Sequence, residues 1–176
     1  METGYIFKKT GLTIDIVHLL TFNLKIMTST LTTVNIHYVF STKNRQKLID
    51  ESIRGRLWAY MGGIARQNKM IAQAVGGTED HVHLLITLPA VISTAKGIQL
   101  IKSGSSKWIH DEFPELSDFS WQTGYGAFSV SITKVPLIIN YINRQEEHHR
   151  KKTFEEEYFF FLKESGMEYD ERFVLG

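Results

Sequence analysis

The 176 residues carry 20 Lys and Arg against 19 Asp and Glu, a net charge of +1, with 43% hydrophobic and 22% charged residues, a composition suited to one globular domain. There is no cysteine, which excludes a disulfide framework, a Cys-ligated zinc site and thiol catalysis. No apolar run approaches the roughly 18–20 residues that span a bilayer, so no membrane partner is expected and the cytoplasm is the expected compartment. The charge is unevenly spread: residues 153–176 hold seven acids (Glu155, Glu156, Glu157, Glu164, Glu168, Asp170, Glu171) and two bases (Lys163, Arg172), which leaves a basic body before an acidic tail.

Gly4 to Lys25 holds a short apolar patch broken by Asp15 and His18. Those interruptions, with no small-residue cleavage site after them, make a poor signal peptide. Clean periodicity starts only after Met27. Met27 is therefore expected to be the natural start or residues 1–26 an appendage, which makes residues 1–28 an extension outside the domain and residues 29–176 a single domain. Val34, Ile36, Tyr38 and Phe40 alternate with Thr33, Asn35, His37 and Val39, the period of a half-buried strand. A basic loop follows (Lys43, Arg45, Lys47). Asp50 to Asn68 reads as a helix, with Ile53, Leu57, Tyr60, Met61 and Ile64 near a 3–4 spacing and acids at its start. Met70–Val75 and His81–Leu88 read as strands, closed by Gly76-Gly77 and Pro89.

Ser93–Asp111 is a helix weakened by Gly97 and Gly104, and Phe119–Ile132 a long strand interrupted by Gly124 and Gly126. Val135–Lys152 and Glu155–Ser165 complete the chain as helices, Pro136 being acceptable in a first turn. The order β-α-β-β-α-β-α-α predicts an α+β fold: a ferredoxin-like or RRM-like antiparallel sheet with helices on one face, followed by a C-terminal helix that bears candidate catalytic groups.

His81 and His83 stand two residues apart on one strand and so share a face, while Val82, Leu84, Ile86 and Leu88 take the other. Two parallel imidazoles on the uncovered face can chelate a cation or simply be surface histidines. Tyr141 and Gln145, at i and i+4, share a helix face, with His148 and His149 beyond them. Trp121, Tyr125 and Phe128 are base-stacking or core candidates, and His37 shares the alternation of Asn35.

Together, His81-Val82-His83, the string Gly124 to Ser131 (GYGAFSVS) and the string Tyr141 to His149 (YINRQEEHH) resemble the single-tyrosine HUH transposases of the IS200/IS605 type, including the relatives associated with REP hairpins. Val39–Arg45 and Phe154–Glu157 fit the same pattern, which covers residues 29–176. The resemblance implies that Tyr141 is the nucleophile and that His81, His83 and Gln145 hold one divalent cation, Mg²⁺ or Mn²⁺. It implies cleavage and rejoining of single-stranded DNA at hairpin-bearing element ends through a 5′-phosphotyrosine intermediate, by a homodimer. Basic DNA-binding candidates are Lys43, Arg45 and Lys47 beside the first strand and Lys96, Lys102 and Lys107 on the second helix. Imidazole ligands favour softer ions than Mg²⁺, so tight Mg²⁺ binding without DNA is not expected. The alternatives are a domesticated relative and a non-catalytic nucleic-acid-binding regulator on the same fold.

Overall fold

The computed structural model describes residues 31–148 and 153–170. The expected extension 1–28 and the expected natural start at Met27 lie outside the described residues, as does His149. Among the described residues four strands and five α-helices follow in order: β1 (Val34–Ser41), α1 (Glu51–Gln67), β2 (Ile71–Gly77), β3 (His81–Leu88), α2 (Thr94–Glu112), β4 (Gly126–Val130), α3 (Val135–Asn143), the single turn α4 (Gln145–His148) and α5 (Phe154–Glu164). The strands form one antiparallel sheet in the order β2-β3-β1-β4. This is the α+β arrangement that the sequence periodicities predict.

One sheet face carries the main core. Ile36, Tyr38 and Phe40 of β1 join Val82, Leu84, Ile86 and Leu88 of β3 beneath Ile53, Leu57 and Met61 of α1 and Ile98, Ile101 and Ile109 of α2. Local chemistry starts each helix: the Asp50 carboxylate accepts from the amides of Ser52 and Ile53, and Ser93 accepts from Lys96 N.

The opposite face was expected to be open, and it is covered. Helix α3 packs Val135 and Ile142 onto Ala74 and Leu85, while α5 packs Phe154, Tyr158 and Leu162 onto Val39 and Phe128. Two glycines permit this. A Cβ on Gly76 would stand 2.6 Å from Ile142 O, and one on Gly126 would stand 2.8 Å from the Tyr158 ring. Helix α5 begins with a capping box, in which the Thr153 hydroxyl accepts from Glu156 N and the Glu156 carboxylate accepts from Thr153 N.

Two elements are shorter than expected. The long strand over 119–132 reduces to Gly126–Val130, because Trp121 turns into the main core with its indole N–H donating to Ser105 Oγ. Lys102 also ties down the carbonyls of Gln122, Thr123 and Gly124. The helix over 135–152 breaks at Arg144, which leaves helical geometry at φ −110°, ψ 20°.

Candidate active site

Strand pairing sets Ser41 opposite His81, Val39 opposite His83 and His37 opposite Leu85, so three imidazoles of two neighbouring strands meet on one face. His37 Nε2 and His83 Nδ1 stand 3.0 Å apart and their rings stack at 5.2 Å. Burial and the neighbouring His83 hold the His37 imidazole well below its usual range, so it stays neutral. A neutral His37 can accept at Nε2 from His83 Nδ1–H, which leaves His83 Nε2 as a lone-pair donor. His81 is oriented in the same way: its Nδ1 lies 2.7 Å from Asp80 Oδ1 and 2.9 Å from the Thr78 hydroxyl, so Nε2 is the nitrogen that could bind an ion. Burial acts to raise the Asp80 carboxyl. The His81 hydrogen bond and charge, the Thr78 hydroxyl and Arg45 outweigh it and hold Asp80 well below the usual carboxylate range.

The helices complete the cluster. The Tyr141 ring stands edge-on to His83 at 5.7 Å and to His37 at 6.3 Å. Gln145 is 2% exposed, and its Nε2 donates to Glu157 Oε1 at 3.2 Å. Glu157 Oε2 lies 3.3 Å from His83 Nε2. Although the helix breaks between them, Tyr141 and Gln145 both still reach the histidines' side of the sheet. Helix α5 closes the site: Phe154 lies 4.6 Å from the His81 ring, and Phe161 lies 5.0 Å from His37 and 5.6 Å from Tyr141. His81 is 1% exposed, His83 0%, and the Tyr141 hydroxyl is shut from solvent.

The donor set suits a divalent ion. One nitrogen each from His81 and His83 and one carboxylate oxygen of Glu157 lie within 4.8 Å of one another, all buried. That is a fitting spread for groups that each approach one ion to about 2 Å. Gln145 Oε1 is buried with no hydrogen-bond partner, a further oxygen in the same cluster. Burial pushes the Glu157 carboxyl up to about 7, against the opposing charge of His81.

The basic candidates divide between two places. Arg45, in the turn after β1, pairs with Asp80 at 3.3 Å and Glu155 at 2.9 Å and lies over the Phe154 ring. It and Asn44 hold left-handed backbone (φ 54° and 56°), an uncommon conformation for side-chain-bearing residues and one often found at functional turns. Lys43 is exposed in the same turn, and Lys47 pairs with Glu79 at 3.0 Å. Lys96, Lys102 and Lys107 lie on α2, beyond the main core from the histidines. Lys96 donates to Gln99, Lys107 pairs with Asp111, and Lys102 is spent on loop carbonyls. Of the stacking candidates, Trp121 and Phe128 are core residues and Tyr125 is partly exposed against Tyr38. A cavity of about 420 Å³, lined by Arg54, Trp58, Gly77, Asn143 and Arg144, opens beside Gln145.

The sequence assigns no role at the site to Asp80 or Glu157, and it marks His37 only by the alternation shared with Asn35. The signal for Glu157 was its position inside the apolar stripe Phe154, Tyr158, Phe161 and Leu162 of a helix.

Residues 30–145 match the sequence model of the family described as IS200-like transposases. The chain belongs to that family. Its matched span carries His37, His81, His83 and Tyr141 and ends at Gln145, so Glu157 and all of α5 lie beyond it. Two solved structures share the fold. A protein of Deinococcus radiodurans R1, described as a candidate transposase, is 23% identical over 66% of this chain and 94% of its own, with a TM-score of 0.56. A REP-associated tyrosine transposase, solved bound to a REP hairpin, is 15% identical over 69% of this chain and 71% of its own, with a TM-score of 0.53. None of the curated proteins compared matches the chain. No helix among the described residues is long and apolar enough to cross a membrane.

Proposed function

We propose that this IS200-like transposase cleaves and rejoins single-stranded DNA at hairpin-bearing ends, with Tyr141 as nucleophile. The observation that carries the reading is the Tyr141 ring set edge-on to His83 and His37, within a buried cluster of polar groups on one sheet face. The Tyr141 oxygen attacks the scissile phosphorus and the P–O3′ bond breaks. The 5′-phosphate becomes joined to the tyrosine, and the phenol proton balances the departing 3′-OH. A 3′-OH of another strand then attacks the phosphotyrosine, forming a phosphodiester and releasing the phenol without external energy.

His81 and His83 would hold a divalent cation with an oxygen ligand from the Gln145–Glu157 pair; bound there, Mg²⁺ or Mn²⁺ supplies a Lewis acid for a phosphodiester oxygen and favours the ionised phenol. Asp80 fixes the tautomer of His81, and neutral His37 fixes that of His83. The Tyr141 hydroxyl is shut from solvent and the Phe161 ring of α5 stands 5.6 Å from the Tyr141 ring, so a phosphodiester reaches the hydroxyl only when this aromatic cover turns aside. Lys43, Arg45 and Lys47 are the DNA contacts nearest the site, with Lys96, Lys102 and Lys107 as a second basic set on α2. The hairpin as substrate draws support from family membership and from the hairpin bound to the REP-associated relative. The domain starts near residue 29 and works as a homodimer, for which β4, at one edge of the sheet, is the candidate pairing strand.

The test is incubation with labelled single-stranded hairpin DNA and Mn²⁺, then denaturing electrophoresis. A covalent protein–DNA band is expected from the native chain and none from Tyr141→Phe, whose hairpin binding persists. Nicking by Tyr141→Phe at the native rate would make water the nucleophile and end the tyrosine reading.

A further inference from the structure

We infer that Glu157 is the oxygen ligand that completes the ion site, and that Gln145 is a positioning residue that holds this carboxylate in place. The inference rests on the proposed function for the presence of an ion and goes beyond it in assigning the ligands. Three observations converge on Glu157. Its Oε2 lies 3.3 Å from His83 Nε2, and its carboxylate shares a 4.8 Å cluster with the ligand nitrogens of both histidines. Gln145 Nε2 donates to Glu157 Oε1, which ties the amide to this carboxylate while its own Oε1 makes no hydrogen bond. An amide bonded in this way aims a carboxylate at the pair of imidazoles, as groups behind metal ligands do.

Charge points the same way. Two neutral imidazoles and a neutral amide would leave a divalent ion uncompensated in a buried site, which is costly. Glu157 supplies a negative charge inside the cluster, whereas the Asp80 carboxylate is turned to the Nδ1 side of His81. Two imidazoles and one carboxylate form a donor set better suited to Mn²⁺ or another transition ion than to Mg²⁺, which prefers oxygen throughout. The ligand also arrives on α5, beyond the family-matched residues 30–145. An ion bound there joins β3 to α5, so its binding fastens the helix that covers Tyr141.

The test is titration of the full chain with Mn²⁺ alone, followed by electron paramagnetic resonance of free Mn²⁺ at pH 8. Glu157→Gln is expected to weaken Mn²⁺ by about 100-fold, comparable to His83→Ala, and Gln145→Ala by about tenfold. A Glu157→Gln protein within threefold of the native affinity overturns the assignment, as does a Gln145→Ala loss that exceeds the Glu157→Gln loss. Should Glu157→Gln fail to fold, hydrogen exchange on the native chain decides: Mn²⁺ is expected to slow exchange across residues 154–164, and unchanged exchange there overturns the assignment. A native chain that forms the tyrosine adduct while Glu157→Gln keeps native Mn²⁺ affinity defeats only the ligand assignment. Absence of the adduct in the native chain defeats the proposed function itself.

Discussion

Glu157 gives the protein a stability profile that one substitution should flatten. With no ion present, burial raises its carboxyl from 4.5 to about 7, where it faces His83, His81 and the Gln145 amide. Between these two values the folded chain holds a proton that the unfolded chain has lost, so stability falls as pH rises from about 4.5 to about 7 and is flat in this group beyond. The gap corresponds to about 3 kcal/mol, an upper figure for one carboxyl. Glu157→Gln is neutral at every pH and keeps an oxygen for the Gln145 N–H. Urea unfolding of both proteins at pH 5 and pH 8, with a chelator present, isolates the effect, because other titrating groups cancel in the comparison. The native chain is expected to lose up to about 3 kcal/mol more than Glu157→Gln across that interval, or roughly 6–10 °C in Tm. Parallel pH profiles for the two proteins would refute the buried-carboxylate reasoning.

Gly76→Ala places a Cβ 2.6 Å from Ile142 O and is expected to cost about 1–3 kcal/mol while pushing the end of α3 outward. The adjacent Tyr141 then moves off His83, and covalent adduct formation should fall by about 100-fold, read by gel in the Tyr141 assay. His83→Ala removes a fully buried ring and its bond to His37, so thermal denaturation should show a loss of about 1–3 kcal/mol, unlike an exposed histidine. Mixing His83→Ala with Tyr141→Phe, after exchange between tagged and untagged chains is established, is expected to recover no adduct, since Tyr141 lies against the histidines of its own chain; recovered adduct would indicate that the tyrosine serves a partner.

The parts of the fold that announce themselves in sequence are those governed by one dominant periodicity. The alternation of β1 and β3 places His81 and His83 opposite Val82, Leu84, Ile86 and Leu88, and the core confirms that division. Where several long-range contacts compete, local pattern loses. Residues 119–125 have strand composition, yet with the Trp121–Ser105 bond and the Lys102 grip on three carbonyls they keep only a single antiparallel bridge, Trp121 to Thr42, beyond β4. The helix through Tyr141 looks continuous to residue 152. Its break at Arg144 accompanies the close seat of Ile142 on Gly76 and the burial of Gln145 against Glu157, contacts with residues far away in sequence. His37 was on the correct face from its alternation with Asn35, but a single histidine carries no sign that a second strand will set His83 beside it.

The charge division of the chain has a structural counterpart at the same site. A basic body with an acidic tail suggests a surface for a polyanion, and the tail's own acids occupy part of it: Glu155 pairs with Arg45, and Glu157 reaches the histidines. On the proposed function, a phosphodiester arriving at Arg45 would compete with a carboxylate that is 50% exposed, whose pairing water and salt already weaken, so that exchange would be inexpensive. Displacing Glu157 is different in kind, because its carboxylate is 8% exposed and Gln145 is committed to it. On the proposed function, the outer ion pair would govern how DNA first meets the basic turn, while Glu157 would stay with the ion and the aromatic cover of α5 would govern whether the strand reaches Tyr141.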